Sequence, residues 1–423
     1  MSVLPRSLLP DTATEGPDGE LVVGGCSVPA LADEYGTPLF IYDEQHLRNR
    51  CREAKEAFGA GAIYATKAFL CGAMARLAHE EGLRLDVATG GELFVVVRAG
   101  VPGSSLVVHG NNKSAAELAD AAAAGAGRLV VDSFDEFDRI KRLHQETGHV
   151  FDVLVRITPG VEAHTHHYVA TGQDDSKFGF TLSNGLAARA IAVARNQPGV
   201  RLRGIHLHIG SQVFVVGSFA SALSAVAEFV LTHDLDELSM GGGLGVAYVE
   251  GESAPTISQY ADVLRTAAAE AGITAALSVE PGRAIVAGAA ITVYTVGTIK
   301  EIPNIRTYVA VDGGMSDNPR PVLYGSGYET FLPRAVGSDR PRAVRVVGKH
   351  CESGDVLVRD AKVPLDLRVG DLLATPVTGA YGHSMGSNYN KVPRPPVLFV
   401  ADGEARLVVR RETYEDLVGL DQP

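Results

Sequence analysis

Lys67 closes a run of small and apolar residues in IYATKAF. A lysine at the end of a strand, flanked by Ala and Phe, is partly desolvated. Desolvation disfavours the ammonium and makes the amine nucleophilic. On its own, such a lysine is more often just the solvated end of a strand. His206 and His208 alternate in HLHIGSQ, so both rings point the same way from a strand. They could be core histidines, the HxH metal ligands of barrel hydrolases, or imidazoles against a flat aromatic cofactor. Ser211, at the strand end, could hydrogen-bond a phosphate. In SMGGGLGVAY three glycines leave backbone N–H groups free to face an anion, and a helix beginning nearby would add to this. Such a turn alone is a weak signal. In SVEPGRAIV, Glu280 ends a strand, Pro281 and Gly282 turn the chain, and Arg283 returns to the same rim. A carboxylate there can keep a pyridine nitrogen protonated, and an arginine can grip phosphate or carboxylate as a fork. A structural Glu/Arg pair is the plainer reading.

Three further stretches carry chemistry-bearing side chains but read individually as ordinary loops. They are Arg320 and Tyr324 in GGMSDNPRPVLYG, Cys351, Glu352 and Asp355 in KHCESGDVL, and Tyr381 in TGAYGHSMGSNYN.

The elements that must position these residues show a regular order. GAIYATKA, LRLDVAT, SSLVVHG, RLVVDS, FDVLVRI, LRGIHLHIG, LDELSMGGG and ALSVEPG read as strands. Helical stretches such as CGAMARLAHEEG, SAAELADAAAAG and SFASALSAVAEFVLTH separate them. Strand then helix, repeated about eight times, predicts an α/β fold built on a (β/α)8 TIM barrel. The rival, an open doubly wound sheet, is disfavoured by the lack of GxGxxG in the first strand-to-helix turn. Beyond residue 286 the runs AAITVYTVGTIKEI, RTYVAVDGG, RAVRVVGKHC, LLATPVTGAY and ARLVVRRETYEDL predict a β-sheet domain. LVVGG and PLFIYD near the start read as strands of that same domain. The expected division is therefore a barrel over 46–285 and a discontinuous β domain over 1–45 and 286–423.

Composition narrows the partners. Lys and Arg number 38 against 50 Asp and Glu, a net charge of -12. That balance argues against nucleic acid and anionic membrane. No run of about 18 apolar residues occurs, and the first twenty residues do not read as a secretory leader. The four cysteines, Cys26, Cys51, Cys71 and Cys351, lack metal or CxxC spacing and read as reduced thiols of a cytoplasmic protein.

Taken together, YATKA, HLHIGSQ, GGGLG, EPGR, NPRPVLY, CESGD and GAY stand in an order that is not generic. The set resembles the fold type III, alanine-racemase-like pyridoxal-phosphate (PLP) decarboxylases. Within that group HGNNKS, ATGQDDSKFGF, HIGSQ, CESGD and SNYN are similar to the diaminopimelate decarboxylases. The resemblance runs from PLFIYD to the last strand. It implies PLP-dependent decarboxylation of meso-2,6-diaminopimelate to L-lysine and CO2, a step of lysine biosynthesis. It implies that Lys67 holds the cofactor's aldehyde, His208 stacks on its ring and Glu280 pairs with the ring nitrogen. Ser211, Gly242, Gly243 and Tyr381 would hold the phosphate. Asp86 falls where the family keeps an acid near the lysine, and Arg156 where related enzymes keep an arginine near the ring hydroxyl. Arg283, Arg320 and Tyr324 resemble contacts to substrate carboxylates, with Arg320 selecting diaminopimelate over simple diamines. Cys351 and Glu352 resemble residues delivered by the neighbouring subunit, which implies a homodimer with shared active sites. Cys351 is the expected proton donor to Cα, with Lys67 competing for that role. No metal is expected.

Three departures from the family pattern lie near the substrate end. His383 follows GAYG, His167 stands in AHTHHY, and Phe214 is followed by Val215, Val216 and Gly217. They leave room for a decarboxylase of another amino acid. A metal-dependent hydrolase built on His206 and His208 is the rival of another class, and His164, His166 and His167 could suggest a metal cluster. Lys67 and EPGR have no role in that reading. A lone-barrel PLP-binding protein would not need the β domain, and a racemase would not need CESGD.

Overall fold

The computed structural model describes residues 3–161 and 172–422. They fall into two compact units. One comprises Arg50–Val246 and Ala254–Ala284, the other Met1–Asn49, Ala247–Ser253 and Ile285–Pro423. Ala247–Ser253 thus goes with the second unit although it lies within the sequence span read as barrel.

The first unit is built on eight parallel strands: Ile63–Ala65, Arg84–Val87, Leu106–Val108, Arg128–Val131, Phe151–Thr158, Val200–His206, Glu237–Ser239 and Ala276–Ser278. Each pairs with the next. Ala62 bridges Val279 in parallel, and the Ile63 amide donates to the Val279 carbonyl at 3.0 Å. These contacts close the sheet into the (β/α)8 barrel that the sequence pattern predicts. Strands of such a barrel are covered on both faces, so their sequences run apolar rather than alternate. Leu129, Val130 and Val131 are all fully buried, and Ile63, Val107, Val130 and Leu154 pack as one cluster.

The intervening helices start where their caps allow. Ser114 and Glu117, and Thr256 and Gln259, form capping boxes at the starts of Ala115–Ala124 and Ile257–Glu270. Thr89 and Ser133 cap Gly90–Arg98 and Phe134–Thr147. Gly125 and Gly148 stop two of them in the left-handed conformation. Helix Gly217–Thr232 buries Phe219, Ala222, Leu223, Val226 and Val230 at helical spacing. Truncating one of these, as in Leu223→Ala, would cost about 2–5 kcal/mol.

In the second unit, strand Ala290–Ile302 is the spine. It pairs antiparallel with Arg306–Val311, Leu372–Pro376 and the early strand Leu39–Asp43. Leu39–Asp43 is buried along its whole length and also pairs in parallel with Val397–Ala401. This is why PLFIYD, far away in sequence, belongs to the β domain. Val356–Val363, a strand the sequence reading does not name, pairs antiparallel with Arg342–Val347. ARLVVRRETYEDL is strand only over Glu404–Val409. Thr413 and Asp416 then form a capping box and start helix Tyr414–Val418. Among the described residues, no helix is long and apolar enough to cross a membrane.

Candidate active site

Every barrel residue singled out in the sequence lies in, or shortly after, the C-terminal half of a strand, the end where barrel enzymes carry their chemistry. Lys67 sits in the turn Thr66–Ala68 after the first strand, and Thr66 Oγ1 ties that turn to the Asp86 carbonyl at 2.7 Å. Asp86 is in the second strand, Arg156 in the fifth, and His206 ends the sixth. Ser239 ends the seventh strand, and Glu280 follows the eighth.

Glu280 is the electrostatic centre. It is buried, with Oε1 3.1 Å from His109 Nε2 and Oε2 3.0 Å from His206 Nε2. Ser239 Oγ adds a hydrogen bond at 3.3 Å. Burial alone would push this carboxyl up. The two histidines outweigh it and hold Glu280 well below the usual carboxylate range. Burial also opposes charge on His109, yet Asp86, 3.8 Å away, and Glu280 raise it above an ordinary histidine. His206 goes the other way, lowered chiefly by burial.

His208 is held well below the ordinary histidine range by burial, then by the charges of Lys67 and Arg156. Its Nδ1 accepts the Gly242 N–H at 3.2 Å. A neutral ring accepting at Nδ1 carries its proton on Nε2, the form suited to lying against an aromatic face. That hydrogen bond corrects one expectation, because the Gly242 amide is engaged with His208 rather than left for an anion. The turn itself has no room for side chains. A Cβ at Gly242 would meet the Glu280 carbonyl at 2.5 Å, and one at Gly243 would meet the Gly210 carbonyl at 2.2 Å. Gly243 has a φ of 115° as well, which L side chains rarely adopt. Next to the turn, Arg283 Nη2 donates to Ser211 Oγ at 3.0 Å.

Lys67 also differs from expectation. Thr66 and Ala68 are fully buried, but Lys67 itself is exposed, so its apolar flanks do not desolvate it. Its charge is felt instead by Glu92, His109 and His208. Arg156 is buried over the Phe178 ring at 4.2 Å, with Asp132 3.9 Å away.

The second unit holds the other sequence candidates. Arg320 is only 4% exposed. Its guanidinium carbon lies 4.0 Å from the centre of the Tyr248 ring, and Nη1 donates to Tyr328 Oη at 2.5 Å. Tyr324 is half-buried, four residues on in the helix Arg320–Tyr324. Cys351 and Glu352 are exposed. Asp355 of the same motif is structural: it accepts from the amides of His350 at 2.9 Å and Met315 at 2.7 Å. Tyr381 takes a φ of 59°. Burial lowers His383 to about 4. His164, His166 and His167 lie outside the described residues.

Comparison with known proteins places this geometry. The family described as pyridoxal-dependent decarboxylase, pyridoxal binding domain, matches residues 44–287. A diaminopimelate decarboxylase of Bacillus subtilis is 46% identical over 433 residues, covering 97% of each chain. The chain belongs to this decarboxylase family. A second relative named diaminopimelate decarboxylase, from Mycobacterium tuberculosis, is also 46% identical, over 99% of this chain and 98% of its own. Among solved structures, diaminopimelate decarboxylase from M. jannaschii superposes with a TM-score of 0.90 at 32% identity, covering 98% of both chains. The Helicobacter pylori enzyme, solved with L-lysine, gives 0.85 at 32% identity over 93% of this chain and 98% of its own.

The family member's barrel brings Lys67, Asp86, Arg156, His208, Ser211, Gly242, Gly243, Glu280 and Arg283 to one rim. Arg320, Tyr324, Cys351, Glu352 and Tyr381 lie in the second unit. Sequence reasoning gave His109 no role and left His206 among several alternatives. The available signal was HGNNKS, which begins two residues before Asn111 with His109, directly after a strand. Tyr248 and Tyr328 carried no signal, because their significance lies in Arg320, distant in sequence.

Proposed function

We propose that this chain is a PLP-dependent decarboxylase that converts meso-2,6-diaminopimelate to L-lysine and CO2. The observation that carries the reading is the buried, ionised Glu280 held between two histidines at the rim that also presents Lys67.

The residues present fit the cofactor. A buried anion at Glu280 together with a neutral His208 matches a protonated pyridine ring, and the Gly241–Gly243 turn admits no side chain where a phosphate would approach. Lys67 would hold the aldehyde, Glu280 the ring nitrogen and His208 the ring face. Asp86 would stand beside the lysine and Arg156 near the ring hydroxyl. Ser211, Gly243 and Tyr381 would hold the phosphate, with Arg283 fixing Ser211. When bound, PLP supplies an electron sink for the carbanion left at Cα as CO2 departs.

The chain's own residues do the rest. Glu280, as an anion, favours a protonated partner at its oxygens. Arg320, with Tyr324 beside it, presents a fork to a carboxylate at the far end of the substrate. Cys351, with Glu352 placing the substrate, returns a proton to Cα. Both are exposed in the single chain, which supports their delivery by a partner subunit in a homodimer with shared sites. We place the enzyme in the cytoplasm.

A metal-dependent hydrolase is less well supported. The ligand atoms of His109, His206 and Glu280 lie within 4.8 Å of one another. Only one member of the HxH pair belongs to that group, however, and Lys67 has no part in it. A decarboxylase of a substrate with one carboxylate is disfavoured by Arg320, which has no carboxylate in ion-pair range among the described residues.

The test is release of lysine and CO2 from meso-diaminopimelate by purified, PLP-loaded protein, with lysine, ornithine and arginine as parallel substrates. Release from diaminopimelate alone is the expected result. Turnover of another amino acid instead would keep the chemistry and overturn the substrate.

A further inference from the structure

Arg320 is a buried cation without a carboxylate partner among the described residues. With 4% of its surface exposed, it should be matched by an acid, because an unpaired buried charge is strongly destabilising. Among the described residues no carboxylate pairs with it. Burial works against its charge, but Tyr328 and then Tyr248 favour it and raise its pKa.

What surrounds it is aromatic. The guanidinium carbon lies 4.0 Å from the centre of the Tyr248 ring and 5.4 Å from that of Tyr328. The two rings meet edge to face, 5.3 Å apart at 81°, so each fixes the other. Tyr248 supplies a π face that holds the guanidinium plane by cation–π attraction. Tyr328 Oη accepts from Nη1 at 2.5 Å and fixes rotation within that plane. Nε is buried without a hydrogen-bond partner. The edge left for a ligand is therefore Nε with Nη2, two parallel N–H donors that match a carboxylate. Tyr248 belongs to Ala247–Ser253, the segment that leaves the barrel span to join the unit containing Arg320.

We propose that Tyr248 and Tyr328 are positioning residues that set specificity, by holding Arg320 as a pre-formed receptor for the carboxylate at the non-reacting end of the substrate. The inference rests on the functional reading above. Neither tyrosine need touch the reacting atoms. Their effect is to remove the cost of ordering a long side chain on binding. A ligand that keeps the far carboxylate, such as lysine as product, gains from the receptor. A diamine of the same length without it, cadaverine, does not.

The experiment uses the full-length PLP-loaded enzyme and its Tyr328→Phe and Tyr248→Leu variants. Diaminopimelate turnover is measured with lysine and cadaverine as competing ligands. Tyr328→Phe keeps the ring and removes only the hydrogen bond, so it guards against misfolding in Tyr248→Leu. The expected result is an inhibition constant for lysine raised about tenfold, the size of a lost hydrogen bond to a charged group. KM for diaminopimelate rises with it, while kcat and cadaverine binding change little. Lysine and cadaverine weakening equally, or neither changing, would overturn the inference while leaving the function standing. No diaminopimelate turnover by the unmodified enzyme would overturn the functional reading and this inference with it.

Discussion

His206 Nε2 lies 3.0 Å from Glu280 Oε2, with both side chains buried. The contact is one of two that keep Glu280 ionised, and His109 on the other oxygen is the second. Removing it should make the carboxyl easier to protonate. In the proposed function Glu280 acts as an anion, and its folded pKa is depressed, so its contribution is present above that pKa and lost as pH falls through it. In His206→Ala the pKa rises toward the value burial favours, and the acidic limb of kcat/KM moves to higher pH. At neutral pH the loss should be roughly ten- to hundredfold, the worth of a hydrogen bond to a charge. An acidic limb at its original position, with kcat/KM followed down to the lowest pH at which both proteins stay folded, would show that Glu280 does not depend on His206.

Cys351 is exposed, and its backbone N–H is fixed by Asn390 Oδ1 at 3.2 Å. Asp355 accepts the N–H of the preceding residue, His350, at 2.9 Å, so two successive backbone amides beside the thiol are tied down. If it returns the proton to Cα, Cys351→Ala should bind PLP normally and lose on the order of a hundredfold or more in kcat. Near-normal lysine formation by that variant would transfer the role to Lys67.

The barrel was legible because its signals are local. Eight apolar runs separated by capped helices need no tertiary information, and Ser114 with Glu117 marks a helix start in sequence as well as in space. The strand-end positions of the residues singled out were legible for the same reason. Three things were not. The environment of Lys67 was misjudged, since its sequence neighbours are buried and it is not. The Gly242 amide seemed available until folding brought His208, 34 residues away, against it. Tyr248 and Arg320 are 72 residues apart and meet only through the tertiary fold. Sequence spacing reports periodicity within an element, whereas these contacts depend on which elements pack together.

Lys113 and Glu136 form a buried ion pair at 2.8 Å within the barrel. Lys113 also donates to the carbonyls of Gly110 at 2.7 Å and Val130 at 2.6 Å. Glu136 is pushed up by burial, with Lys113 opposing that. Lys113→Met should leave a buried, unpaired acid and cost about 3–5 kcal/mol in urea unfolding. Adding Glu136→Leu should recover much of that loss. A double variant no more stable than Lys113→Met would show that the carbonyl contacts, rather than the ion pair, are what the lysine supplies.

Asp317 lies three residues before Arg320, buried, accepting from Tyr294 Oη at 2.6 Å and the Gly314 amide at 2.8 Å. Burial raises it to about 7, above the ordinary 3.8, and neighbouring Asp355 and Asp312 push the same way. Between those two values the folded chain holds a proton that the unfolded chain has released. Stability should therefore fall as pH rises through that window and level off above it. Asp317→Asn removes the titration while keeping the side chain's size. Relative to the parent, the variant should gain on the order of a few kcal/mol between pH 4 and pH 8. Urea unfolding at both pH values measures this directly. Parallel pH dependence in the two proteins would mean that Asp317 is charged throughout, with Tyr294 and Gly314 stabilising it as an anion.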